Sequence, residues 1–361
     1  MANRWKVLSV FVFVMAFAVQ AQSDLSDRIS EFLARIAPEN SPAIVVSIAY
    51  DDGQSVVSVA HGRVDITQET LALPTDRFRI ASISKTFLAT ALLLLEEDGV
   101  LSLEDGLGDW LDESVYGRLP NADEVTLYDL VTMRSGIPDY LDDVFFGAIL
   151  ASPSRVWTAE EVLAYAYDTA PEFAPDEDFE YSNTNYILLQ LVVESATGKT
   201  LAEVFRERIF TPLNMNETYT QISETLPNGF VHGYEDLMGL GVEEDVTDVN
   251  DGAGLGDGAL VSTTEDLVRF FKALLIDKTV LSSESLEAML TPTDDENQYG
   301  IGIEIREGEN TGTVYGHTGS VVGFSSAVFY APQLETIVVI LYGYQGLEEE
   351  HIEELFSLAA E

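Results

Sequence analysis

Residues 79–100 read RIASISKTFLATALLLLEEDGV. The stretch opens as the end of an extended segment, DRFRIAS (76–82), and turns at Ser82 into a run with helical spacing. Leu92–Leu95 is a continuous apolar block, so this helix needs cover on most of its sides and belongs in the middle of a molecule. On its N-terminal side, SDLSDRISEFLARIA (23–37) sets Leu25, Ile29, Phe32, Leu33 and Ile36 on one helical stripe. PAIVVSIAY (42–50) and SVVSVAHG (55–62) then read as strands joined by the turn DDGQ. On the other side, helical segments run to about residue 250: TLYDLVTMRS, TAEEVLAYAYD, NTNYILLQLVVESA and TLAEVFRERIF, punctuated by Gly and Pro. GALVSTTEDLVRFFKALL starts a further helix, with Ser262 and Glu265 fitting a capping box. Strands return in YGIGIEIR, TVYGHTG, GFSSAVFYAP and ETIVVILYG, and EEEHIEELFSLAA closes as a helix. The expected fold is α+β: one antiparallel sheet built from both termini and flanked by helices, with an inserted, mostly helical domain. The expected division is 22–80 with 255–361 for the sheet domain and 81–254 for the helical one, with the active site between them.

The first residues, MANRWKVLSVFVFVMAFAVQAQSD, read as a secretory signal cut after Ala21. Their apolar run, Leu8–Val19, is short for the roughly 20 residues of a membrane span. A periplasmic or secreted protein with no stable membrane span is the expectation. The 361 residues contain no cysteine, which excludes disulfides, a thiol nucleophile and a cysteine metal site. Only four histidines are present, and neither a metal nor a cofactor is expected. The formal net charge is −44, from 62 acidic and 18 basic residues, of which five are lysines. Such a chain repels nucleic acid, and its dense carboxylates suit a salty habitat where screening reduces self-repulsion. The acidic stretch DVTDVNDGAGLGDG (245–258) misses the calcium-loop spacing and reads as a solvated loop.

Three short elements carry chemistry. Ser82 and Lys85 stand three apart at a helix start, on one face, with Cβ atoms about 5–6 Å apart. A serine hydroxyl is a poor nucleophile without a base beside it, and a lysine in apolar surroundings loses its proton readily enough to be that base. Ser82 or Ser84 would also serve as a plain helix cap. The backbone N–H of Ser82, at a helix N-terminus, suits one half of an oxyanion hole. Tyr181 and Asn183 precede an amphipathic helix. The phenol suits a proton shuttle and the amide suits holding Lys85 or a substrate carbonyl. As plain structure they would be an aromatic flank and a cap. His317, Thr318 and Gly319 end a strand, where glycine permits close approach to the backbone and the N–H of Ser320 suits the other half of the oxyanion hole. His317 suits a proton relay or a positive charge toward a substrate carboxylate; otherwise it is a solvated strand-end histidine.

Taken in order, S-x-x-K at Ser82–Lys85, Y-x-N at Tyr181–Asn183 and H-T-G at His317–Gly319 resemble the serine beta-lactamase-like and penicillin-binding-protein-like hydrolases. The class C beta-lactamase and serine D-Ala-D-Ala carboxypeptidase group is the nearest in pattern. LVTMRSGIPDY, PLNMNETY, GALVSTTEDLVRF and HTGSVVGFSS extend the likeness over about residues 25–345. The resemblance implies the beta-lactamase/transpeptidase-like fold, Ser82 as acylated nucleophile, Lys85 as its base partner, Tyr181 as shuttle and Asn183 as positioning group. It leaves open whether Lys85 or Tyr181 is the operative base. Substrates implied are D-peptide, amide or beta-lactam bonds. An esterase, a beta-lactamase and a non-catalytic penicillin-binding or scaffold protein are the alternatives. Beta-lactamases usually carry lysine where this chain has His317, and a neutral imidazole anchors a carboxylate less well than an ammonium does.

Overall fold

The computed structural model describes residues 22–237, 239, 243–293 and 298–360. The expected signal sequence lies outside these residues. None of the described helices is long and apolar enough to cross a membrane.

Both ends of the chain meet in one sheet. Helix α1 (22–36) leads into strands β1 (Ile44–Tyr50) and β2 (Ser55–His61), a hairpin closed by residues 51–54. Three short strands, β3 (Phe78–Arg79), β4 (Tyr219–Thr220) and β7 (Leu260–Ser262), form a second sheet in the order β3-β7-β4. Strands β5 (Tyr234–Glu235) and β6 (Glu244–Asp245) pair with each other. The last four strands are β8 (Glu304–Gly308), β9 (Gly312–Val321), β10 (Phe324–Ala331) and β11 (Thr336–Tyr342). The main sheet runs β2-β1-β11-β10-β9-β8, antiparallel throughout, with Ile44 opposite Tyr342 and Ala49 opposite Ile337.

Period-two alternation gives this sheet two apolar faces. Ile44, Val46, Ile48, Val338, Ile340 and Tyr342 join one core with α1 and the closing helix Glu349–Ala360. Val45, Ala49, Val339, Leu341 and Val328 join the other, which continues into the helical middle. Helix Thr264–Phe271 lies on β1 and β11 from that side, where Ser47 donates to Thr264 Oγ1 at 2.7 Å.

Helix α2 (Ser84–Glu97) is covered on every side, as its composition requires: each residue from Ser84 to Leu93 is buried, and so is Leu95. Phe87 stacks on Phe270 at 3.9 Å between ring centres. Each of the buried leucines of this helix, Leu88, Leu92, Leu93 and Leu95, is worth about 2–5 kcal/mol against alanine.

Three local expectations shift. The cap of the helix Thr264–Phe271 is Thr263, whose side chain accepts from Asp266 N, while Ser262 belongs to β7 and bonds Thr218 Oγ1 at 2.8 Å. YGIGIEIR is strand only from Glu304, because Gly302, at φ +67°, turns the chain against Ala89 and Tyr186. Ser84 is no cap; its hydroxyl accepts from Leu260 N at 3.1 Å.

Candidate active site

Strand β3 delivers the chain to a single tight turn, Ala81–Ile83, on which α2 is stacked. Ala81 has φ +50°, a left-handed conformation that costs a residue with a Cβ roughly 1–2 kcal/mol. Ser82 caps neither helix. Its hydroxyl instead receives the Lys85 ammonium at 3.1 Å. Strand β9 lies directly against this turn. A Cβ on Gly319 would stand 2.5 Å from Ile80 O and 3.0 Å from the Ala81 Cβ. Ser326 Oγ donates to Ile80 O at 2.9 Å and fastens β10 to the same place. The backbone that Gly319 admits is therefore that of the serine turn.

Lys85 is fully buried, and its nitrogen has three neighbours: Ser82 Oγ, Asn183 Oδ1 at 2.7 Å and the Asp257 carbonyl at 2.8 Å. Two of these are carbonyl oxygens that only accept. A neutral amine spends its two N–H groups on them and is left with its lone pair directed at the Ser82 hydroxyl. Burial pushes Lys85 down to about 8, with Asp257, Asp139 and Glu304 acting the other way. Beneath it, Asn183 Nδ2 donates to Asp139 Oδ2 at 2.8 Å and Tyr140 donates to Asp257 Oδ2 at 2.8 Å. Burial raises the Asp257 carboxyl to about 6.

The Tyr181 ring lies 5.0 Å from Lys85 Nζ. Its oxygen is buried and makes no hydrogen bond. Burial drives its ionisation well above 10, although the nearby Ser82 hydroxyl acts in the opposite sense. His317 is 1% exposed, which rules out a solvated strand-end histidine. One ring nitrogen is 3.1 Å from the Tyr299 hydroxyl, and the other faces the Thr318 carbonyl and Glu304. Burial pushes His317 below its ordinary value, against the pull of Glu304. The Thr318 hydroxyl and N–H both donate to Glu304 Oε1, at 2.6 and 2.9 Å, and Arg306 covers the other carboxylate oxygen. Burial acts to raise Glu304, but His317, Arg306 and these bonds outweigh it and hold it below the usual range.

Ser82, Tyr181, Asn183, His317–Gly319 and Ser320 all line one cleft of about 890 Å³. Lys85 lies under the floor and reaches Ser82 from below. The structure thus brings together every residue singled out in the sequence. It also adds a second layer that the motifs did not reveal: Asp139, Tyr140, Asp257, Tyr299 and Glu304. Asp139 and Tyr140 end the LVTMRSGIPDY phrase, and Asp257 sits in the acidic stretch, so their signal was present as pattern without an assignable role. That acidic stretch is solvated only in its first part, at Asp245 and Asp248, and turns inward after Asn250. The Asp251 side chain is enclosed in an ion pair with Arg79 and accepts from Val322 N at 2.7 Å, and Asp257 is buried beside Lys85. Among the described residues, no group of three or more His, Asp or Glu side chains is placed to hold a metal.

An antiparallel sheet flanked by helices, with the cleft at the end of a buried helix, defines the beta-lactamase/transpeptidase fold. The chain belongs to the beta-lactamase family, whose model matches residues 19–359. It is 28% identical over 321 residues to a penicillin-binding protein of Bacillus subtilis, spanning 84% of this chain and 69% of that protein. A D-stereospecific amidohydrolase from Streptomyces sp. superposes with a TM-score of 0.80 at 26% identity, covering 93% of this chain and 98% of the other. The octameric penicillin-binding protein homologue from Pyrococcus abyssi gives a TM-score of 0.77 at 28% identity, covering 94% and 76%. Fold and homology together support a hydrolase of the beta-lactamase and penicillin-binding-protein superfamily.

Proposed function

We propose that the protein is an exported serine hydrolase that opens D-peptide or amide bonds through an acyl-enzyme. The observation that carries this is the Lys85 nitrogen, buried, tied by two carbonyl oxygens and 3.1 Å from Ser82 Oγ. In this reading Ser82 Oγ attacks the substrate carbonyl carbon while its proton passes to neutral Lys85. The carbonyl oxygen gathers charge and is met by the backbone N–H groups of Ser82 and Ser320. The carbon–nitrogen bond then breaks, and the leaving amine takes a proton relayed from Lys85 through the Tyr181 hydroxyl. Water attacks the ester by the reverse route and frees Ser82. Lys85 is favoured over Tyr181 as the base, since the lysine is down at about 8 while the phenol is held well above 10. His317 serves as a neutral brace for Thr318 and Gly319. The cleft would lie between a sheet domain (22–80 and 255–361) and a helical one (81–254).

The test is intact-protein mass spectrometry with a neutral fluorophosphonate and, separately, with benzylpenicillin, in high salt, beside Ser82→Ala. A phosphonyl adduct on the wild type alone supports Ser82 as nucleophile, and a lasting penicilloyl adduct supports a carboxypeptidase-like deacylation rate. Drug loss without an adduct means a beta-lactamase. Turnover of esters with amides inert means an esterase. No adduct and no turnover overturns the hydrolase and leaves a silent scaffold.

A further inference from the structure

Strand β9 brings Thr318 to the side of the cleft where the leaving group departs. Tyr181, which hands its proton to the leaving amine in the reading above, faces His317 with ring centres 6.3 Å apart, and Thr318 is the next residue of the strand. What Thr318 offers a substrate there is fixed by Glu304. This carboxylate is ionised, since its Oε2 accepts from Arg306 Nε at 2.8 Å and its neighbours hold it below the usual range. An ionised carboxylate only accepts hydrogen bonds. The Thr318 hydroxyl, 2.6 Å from Glu304 Oε1, therefore donates its single hydrogen to Glu304, as the Thr318 N–H does at 2.9 Å. Among the described residues that hydroxyl has no other partner, so it turns two lone pairs, and no hydrogen, toward the cleft.

The groups around it add no free donor. His317 Nδ1 lies between the Thr318 carbonyl and Glu304 Oε1, both acceptors, so it carries the ring hydrogen and directs it away from the cleft. His317 Nε2 is then an acceptor, filled by the Tyr299 hydroxyl at 3.1 Å. Arg306 gives Nε and one terminal nitrogen to Glu304 Oε2, and its other terminal nitrogen is 3.6 Å from Glu349. A threonine hydroxyl beside an arginine would otherwise suit an anion. Here one carboxylate takes up the hydrogens of both.

We infer that Glu304 is a specificity-determining residue: by holding the Thr318 hydroxyl as an acceptor toward the cleft, it selects a leaving group that continues as a secondary amide over one that ends in a carboxylate. The amide N–H meets the Thr318 lone pair. A carboxylate in that place sets acceptor against acceptor, with the charge of Glu304 behind it. The favoured scissile bond is thus an internal D-peptide bond and not the last bond of a peptide. The inference rests on the acyl-enzyme reading above and narrows the substrates which that reading allows.

The test uses N-acetyl-D-alanyl-D-alanine as its free acid, methyl ester and N-methylamide, at pH 7 and fixed salt, scored by release of the second residue. The acid adds a charge that the ester lacks, and the methylamide adds an N–H. The expected kcat/KM is highest for the methylamide and lowest for the acid, with about tenfold or more between them. In Thr318→Val, which keeps the side-chain shape, the methylamide loses its lead over the ester. In Glu304→Ala, which frees the hydroxyl hydrogen and Arg306, the acid gains on the ester by about fivefold or more. A purely structural role for Glu304 would lower all three substrates alike and leave these ratios in place. Unchanged ratios in Thr318→Val, or in a folded Glu304→Ala, overturn the inference, as does wild-type turnover of the acid equal to that of the methylamide. Inertness toward all three while a fluorophosphonate still labels Ser82 overturns the inference alone. Inertness together with an unlabelled Ser82 overturns the hydrolase reading with it.

Discussion

Replacing Asp257 by asparagine moves the pH at which the enzyme becomes active. The Lys85 nitrogen binds the carbonyl of residue 257 at 2.8 Å, a bond that the substitution keeps. The carboxylate on the same residue is three bonds beyond that carbonyl carbon, which puts it on the order of 6 Å from the ammonium, and it acts to keep Lys85 charged. At an effective dielectric of about 20, two charges that far apart attract by about 3 kcal/mol, or about two pH units. The open cleft and the Tyr140 hydroxyl bond weaken this, so about one unit is the working expectation. Asp257 favours charged Lys85, so its removal lowers the lysine further, from about 8 toward 7. The neutral amine is the reactive form, and the rising limb of the acylation rate therefore shifts down in pH by the same amount. The assay is the second-order rate of Ser82 labelling by a neutral fluorophosphonate, read by intact mass from pH 5 to 9.5. Stability supplies a second reading. The Asp257 carboxyl is raised on folding from 3.8 to about 6, so the folded state holds its proton longer. That contribution is complete below pH 4 and is lost as pH rises through 6, a fall of about 3 kcal/mol that a non-titrating asparagine does not show. A limb that stays in place or moves upward refutes the coupling.

Gly319→Ala drives a methyl into the Ile80 carbonyl 2.5 Å away and parts β9 from the serine turn. Labelling of Ser82 should slow more than tenfold while urea unfolding shows a loss of about 1–3 kcal/mol. Arg79→Met leaves Asp251 buried without its partner, at a cost of about 3–5 kcal/mol in the same unfolding measurement. Thr263→Ala removes the cap of helix Thr264–Phe271 and costs about 1 kcal/mol. Ser262→Ala leaves that cap in place and removes the Thr218 contact and a long bond to Thr263 O, so capping by Ser262 would reverse the order of the two.

The fold was legible because its signals are long. The apolar runs IVVSIAY and TIVVILY and the stripe of α1 each leave one consistent placement. The errors came where a signal was one residue long. In STTED, Ser262–Glu265 and Thr263–Asp266 are equally good capping pairs, and pairing of Ser262 in β7 decides between them. Gly302 broke the strand read from Tyr299 because its φ is set by what lies beside it, Ala89 and Tyr186, which no local pattern records. In the cleft, the motif residues announced themselves by type and order. Asp257, Tyr140 and Asp139 did not, since a buried carboxylate and a surface one are spelled alike. Only the neighbours distinguish them.

The position of β11 has a consequence for how the chain comes to be folded. It lies between β1 and β10 in the middle of the main sheet, yet it is the last strand to be synthesised. Until it arrives, the hairpin β1–β2 has an open edge, and the sheet core that Val339 and Leu341 complete is unfilled. Closing it joins parts of the chain from opposite ends, the slowest kind of contact to form. The hairpin β1–β2 and the meander β8–β9–β10 therefore cannot join into one sheet until β11 is free. Loss of β11 by truncation would remove the centre of the sheet rather than trim its margin.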